Sequence, residues 1–187
     1  MSPLPLLERT LTTAPYRGLT ILDLGCGSAA VGVLLAQTIS DCQAVVADGE
    51  GHGRLAELNL RASIPAVRSC INFANLSSET VLFQEGMARQ FDIIVITRQC
   101  LQDNRFWSIM DTAKSLTAHY PRTLVLLACK ADVETQKNLT ETLEAEGFKE
   151  TGNTTVPISL DVCCVPSSGV RIAEFIWQSP QALEPAV

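Results

Sequence analysis

Thr20-Ile21-Leu22-Asp23-Leu24-Gly25-Cys26-Gly27-Ser28-Ala29-Ala30-Val31-Gly32 is the stretch that decides how this chain folds. An apolar run carrying one acid ends in two glycines spaced by one residue, and an apolar, helix-like segment follows from Val31 to Ile39. The order is strand, tight turn, helix. Gly25 and Gly27 have no Cβ, so the backbone there can bend sharply and a ligand can approach it closely. The free N–H groups at the start of the helix point into the same turn. Open α/β sheets bind small molecules at such places, beyond the carboxyl ends of their strands.

Outward from this turn, apolar runs and helical spacings alternate. Upstream, Pro3 to Thr13 carries Leu4, Leu6, Leu7 and Leu11 and predicts a short helix ended by Pro15 and Gly18. Downstream come a first strand over Thr20 to Leu24, a helix over Ala29 to Ile39, and a second strand over Gln43 to Ala47. Asp48-Gly49-Glu50-Gly51 is a loop signal. Leu55, Leu58 and Leu60 lie on a second helix stopped by Pro65, and Ala66 to Phe73 reads as a third strand. Leu76 to Arg89 follows neither period, although Ser77 and Ser78 can cap a helix there. Phe91 to Ile96 is a continuous apolar run, as in a strand buried on both faces. Phe106, Ile109, Met110, Ala113 and Leu116 repeat at helical spacing. Thr123 to Ala128 predicts a fifth strand, and Asp132 to Glu146 a helix with Gly147 at its C-cap. Thr154 to Val165 and Val170 to Trp177 are two β-rich runs joined by Pro166-Ser167-Ser168-Gly169, close enough for an antiparallel pair. Neither a repeat nor a linker interrupts the chain. One domain over 1–178 is expected, with a mobile tail over 179–187.

The composition fits one folded domain. The 187 residues are 47% apolar and 18% charged, which excludes general disorder. The net charge of −6 argues against broad binding to nucleic-acid backbones or anionic membranes. No apolar run is long enough to span a bilayer. The seven cysteines, Cys26, Cys42, Cys70, Cys100, Cys129, Cys163 and Cys164, are odd in number, and no secretion signal is evident. A reducing compartment, cytoplasmic or nuclear, is the expectation, with most thiols buried and free. No CxxC pair or Cys/His cluster suggests a metal. The Asn-x-Ser/Thr triplets at Asn75, Asn138 and Asn153 are taken as chance.

Asp23-Leu24-Gly25-Cys26-Gly27-Ser28 resembles motif I of the seven-strand S-adenosylmethionine-dependent methyltransferases, and the resemblance covers nearly the whole chain. Within that class the chain looks most like the protein-lysine methyltransferase branch, methyltransferase family 16. The branch typically reads Leu-Glu/Asp-Leu-Gly-Cys-Gly-Thr-Gly there, and an Asp ending its second strand is matched by Asp48. A Leu-x-x-Asn pattern in its second helix is approximated by Leu55 to Asn59, with the gap shifted unless Leu58 is the aligned residue; an aromatic closing its third strand is matched by Phe73, and a Phe-Asp opening its fourth by Phe91-Asp92. Two positions depart. Ala29 stands at the third glycine, and Thr97-Arg98-Gln99-Cys100-Leu101 replaces an Asp-x-x-Tyr motif, with Arg98 at the Asp and Leu101 at the Tyr. The N-terminal hairpin common in the branch is not expected here. With βα alternation ending in a hairpin, the expected fold is a Rossmann-like, doubly wound α/β sheet of seven strands in the order 3-2-1-4-5-7-6. The strand Val170 to Trp177 is expected to run antiparallel to the rest.

The implied chemistry is methyl transfer from a sulfonium, an in-line displacement with a good leaving group. Holding the reactants in line and excluding water is the main task, so no catalytic triad is required and none is assigned. The resemblance implies that Asp23 lies near the cofactor's amino group; the alternative is that it caps the turn. Gly25, Cys26, Gly27 and Ser28 form the implied cradle. Asp48 is the candidate for the ribose hydroxyls, next to Gly49 and with Glu50 as fallback, against a plain loop acid. Asn72 and Phe73 are candidates to flank the adenine, against Phe73 as core. Thr97 is a candidate for the methionine end, against a simple strand-terminal hydroxyl.

Arg98 and Cys100 are substrate-side candidates. A fixed cation at Arg98 disfavours an incoming lysine ammonium and suits a carboxylate or phosphate, unless it only meets solvent or Asp103. A Cys100 thiol in apolar surroundings is more often inert. His52 and His119 are isolated, and Cys163-Cys164 reads as strand packing. The acceptor is expected to be a protein or a small molecule, with neither a membrane nor nucleic acid as partner. Two alternatives stand beside the enzyme: a catalytically silent domain that binds a partner, and a nicotinamide oxidoreductase. Gly25-x-Gly27-x-x-Ala30 fits G-x-G-x-x-G/A, a weak signal alone.

Overall fold

In the computed structural model, which describes residues 18–48, 53–75, 90–97, 106–130, 140–156 and 170–178, strands and helices alternate along the chain. They are β1 (Thr20–Leu24), α1 (Ala30–Thr38), β2 (Gln43–Asp48), α2 (Arg54–Ala62), α3 (Pro65–Arg68), β3 (Ile71–Asn75), β4 (Ile93–Thr97), α4 (Phe106–His119), β5 (Leu124–Lys130), β6 (Phe148–Val156) and β7 (Val170–Trp177). Residues 140–145 are also helical. The sheet has seven strands in the order β3-β2-β1-β4-β5-β7-β6, as expected. β1 to β5 pair in parallel, and β7 runs antiparallel to both β5 and β6.

Helices cover both faces because the central strands are apolar on both. Successive side chains of a strand point to opposite faces. Leu22 and Leu24 of β1 and Ile94 and Ile96 of β4 face one core, with Met110, Ala113 and Leu116 of α4. Ile21, Ile93 and Val95 face the other, with Leu35 of α1 and Ala56 and Leu60 of α2. Burying each large apolar side chain contributes about 1.5–3 kcal/mol, so the two cores fix the strand register.

Several boundaries differ from the sequence reading. Residues 66–70 form no strand. Pro65 opens α3 at a position where its missing N–H is harmless, and β3 begins only at Ile71. β4 begins at Ile93 because Asp92 serves as a clasp: its carboxylate accepts from Thr20 N–H at 2.8 Å and Thr20 Oγ1 at 2.9 Å. β6 starts at Phe148, not at Thr154. Gly147, at φ +90, ends the preceding helical run, and the chain turns straight into the sheet to pair with Trp177. The register shift between Glu150 and Gly152 obscures the alternation that would have marked this strand. The predicted N-terminal helix, the stretch 76–89, the turn 166–169 and the tail lie outside the described residues.

Candidate functional site

The turn after β1 is tied to the end of β2. Gly25 N–H and Cys26 N–H both donate to the Ala47 carbonyl, at 2.8 and 3.1 Å. Gly27 N–H donates to Asp48 Oδ2 at 2.7 Å. Gly25 and Gly27 sit at φ +73 and +52, the left-handed region where a side chain is costly. Ala29 is also left-handed, at φ +59, and its N–H closes the turn on the Cys26 carbonyl at 2.8 Å. From α2, the Asn59 side-chain amide reaches the Ser28 carbonyl at 2.8 Å. The glycine turn is therefore held from β2 and α2 together.

Asp23 lies beneath the turn. One carboxylate oxygen accepts from Gly32 N–H of α1 at 2.9 Å, which caps the first turn of that helix. The other, Oδ1, is buried without a hydrogen-bond partner. Burial pushes the Asp23 carboxyl up from 3.8 to about 6; the Gly32 bond opposes this, and the Asp48 charge adds to it. Asp48 is equally buried, with 1% of its surface exposed. Burial and these two acids push the Cys26 thiol far up, so it is a neutral group facing two carboxylates.

Register shows which residues share the carboxyl edge. Leu24 is level with Ala47 of β2 and Ile96 of β4. One residue further along, Asp48 is level with Asn75, and Thr97 with Ala128. Asp48 and the half-buried Thr97 thus stand on either side of the glycine turn, with Ser28 half-buried within it. Asn72 and Phe73 are placed elsewhere. Asn72 is exposed and level with Val45, about 10 Å short of the strand's end at three residues of rise. Phe73 belongs to the core on the α1/α2 face, its ring lying against Gly53 at the start of α2. The residue that register brings to the edge is Asn75, which the sequence reading missed by ending the strand early. Asn59 was noticed only as part of a pattern; its spacing from Ser28 gave no sign of the bond. Gly49, Arg98 and Cys100 lie outside the described residues.

The turn, with one orphaned acid oxygen beneath it and a second acid beside it, suits a ligand bearing positive charge. A family model described as lysine methyltransferase matches residues 5–146, about three quarters of the chain. No curated protein matches. Among solved structures, the chain is similar to the glycopeptide N-methyltransferase MtfA complexed with (S)-adenosyl-L-methionine, with a TM-score of 0.63, 11% identity and 92% of each chain covered. It is also similar to precorrin-6y C5,15-methyltransferase from Geobacter metallireducens GS-15, with a TM-score of 0.59 and 15% identity over 87% of this chain and 81% of that one. At such identities these likenesses establish the fold.

Proposed function

The chain belongs to the lysine methyltransferase family, methyltransferase family 16, and from that premise we propose which residues hold its cofactor and what kind of acceptor it serves. It is an S-adenosylmethionine-dependent methyltransferase, and S-adenosylmethionine is its cofactor. When bound, that cofactor supplies an electrophilic methyl group on a sulfonium. The site fits it. An orphaned, buried carboxylate oxygen on Asp23 suits the ammonium group, and Asp48 suits the ribose hydroxyls. Gly25, Cys26, Gly27 and Ser28 cradle the methionine part, with Thr97 across from them. The cofactor carries two positive groups and one carboxylate, so the pair of acids attracts it. Family membership speaks against the oxidoreductase reading.

The observation that carries this assignment is the Asp23–turn–Asp48 constellation. Calorimetry with S-adenosylmethionine, S-adenosylhomocysteine and NAD tests it. Asp48→Ala should weaken S-adenosylmethionine by roughly 1.5–3 kcal/mol, the range for hydrogen bonds to a charged group. Asp48→Asn should lose less, because it keeps an acceptor for Gly27 N–H. Gly27→Val should abolish binding. If all three folded variants bind like the parent, the pocket lies elsewhere.

For the acceptor, a protein or a small molecule, we infer one that bears a carboxylate or phosphate. Arg98 follows Thr97 directly in sequence and is a permanent cation where the branch has an acid. It would repel a lysine ammonium and bind an anion. A labelled-methyl screen on lysate and metabolites, with the parent and Arg98→Ala, distinguishes these outcomes. Acceptor labelling lost in the variant supports the inference. Strong lysine labelling unchanged in the variant overturns it.

A further inference from the structure

The side of α2 that faces away from the sheet is apolar where solvent should favour polar residues. Ala56 and Leu60 already complete the helix's contact with the core. Leu55 and Leu58 lie on the outer side, 54% and 52% exposed, and Ile64 just beyond the helix is 60% exposed. These are three of the five large apolar side chains left exposed among the described residues. Leu55, Leu58 and the exposed Ala62 are spaced i, i+3, i+7, a stripe along one side of a helix.

The border of this stripe is basic. Over residues 53–70 there are three arginines, Arg54, Arg61 and Arg68, against one glutamate, a net +2 in a chain of net −6. All three arginines are exposed. Arg54 and Arg61 are two turns apart, on the same edge of the stripe. Glu57 is spent on Arg61, at 3.2 Å.

We propose that this face docks an acidic amphipathic helix of a partner protein. Apolar anchors at helical spacing would cover Leu55, Leu58 and Ile64, and flanking carboxylates would meet Arg54 and Arg61 in charge-assisted pairs. The local +2 patch selects an acidic occupant over a second copy, which would set arginines against arginines. Through Asn59, the partner would sit on the helix that braces the glycine turn.

Fluorescence anisotropy on the full chain tests this. The probes are a fluorescein-labelled amphipathic helical peptide, with leucines at i, i+3 and i+7 flanked by glutamates, and its lysine-flanked twin. The acidic peptide should bind roughly tenfold or more tightly than the twin, a difference of about 1.4 kcal/mol. Leu55→Ser with Leu58→Ser should lose that binding. Arg54→Glu with Arg61→Glu should reverse the preference, so the question stays open to test even if the serine variant folds poorly. The proposal is overturned if both peptides bind alike, or if neither binds. It is equally overturned if the chain dimerises through these leucines in sedimentation, or if phosphatidylserine vesicles bind while the acidic peptide does not.

Discussion

On the proposed assignment, Asp23 sets stability against binding in one side chain. Its carboxyl is pushed up to about 6, so the folded state holds the proton more tightly than the unfolded chain. The stability from this group is therefore full below pH 4 and is lost as pH rises through about 6. At neutral pH the ionised, buried acid costs about 3 kcal/mol by linkage. Asp23→Asn keeps an oxygen for Gly32 N–H and removes the charge. It should raise the urea midpoint at pH 7.5 without ligand, with the gain disappearing toward pH 4, while S-adenosylmethionine affinity falls. Ala29 is a second local compromise. Its left-handed backbone costs about 1–2 kcal/mol relative to glycine. Against that stand the fully buried methyl, worth about 0.8 kcal/mol, and the 0.5–1 kcal/mol by which a glycine weakens a folded backbone. Ala29→Gly should change stability by less than about 1 kcal/mol in a melt, so this departure from the three-glycine pattern is nearly neutral.

At the scale of elements, the seating of α2 on β3 depends on a close approach. A Cβ on Gly53 would stand 2.0 Å from Cζ and 2.7 Å from Cε2 of Phe73. Either the half-buried ring leaves its rotamer or helix and strand part. Gly53→Ala should cost about 1–3 kcal/mol in urea denaturation, the usual range for overpacking. Phe73→Leu should recover part of that loss in a double-mutant cycle, because the two positions share one contact. Asn59 projects from the same helix to the Ser28 carbonyl, so a displaced α2 should also weaken cofactor binding.

For the molecule as a whole, two apolar layers on one sheet carry stability, and the exposed helix faces do not. Leu127 of β5 is 1% exposed within the α4-side core. Leu127→Ala should cost about 2–5 kcal/mol, the range for a buried leucine whose cavity cannot collapse. Leu58→Ala on the outer face of α2 should stay within about 0.5 kcal/mol. Urea denaturation of both variants measures the contrast; equal losses would mean that the outer face of α2 is buried against another part of the molecule. Among the described residues no helix is long and apolar enough to cross a membrane.

The amino-acid sequence by itself determined the succession of the seven strands along the chain, the glycine turn after β1, and Asp23 and Asp48 as its acids. Those signals are local. A doubly buried strand is a continuous apolar run, and a left-handed turn calls for glycine wherever it occurs. Only the tertiary structure decided which residues stand level at the carboxyl edge. Asn75 reaches the level of Asp48, whereas Asn72 falls short and Phe73 turns into the core. Register depends on how distant strands bury their faces together, and no short window of sequence contains that information. The same holds for the start of β6, hidden by its register shift, and for the orphaned oxygen of Asp23. A buried acid becomes a binding group only through what the fold leaves unbonded around it.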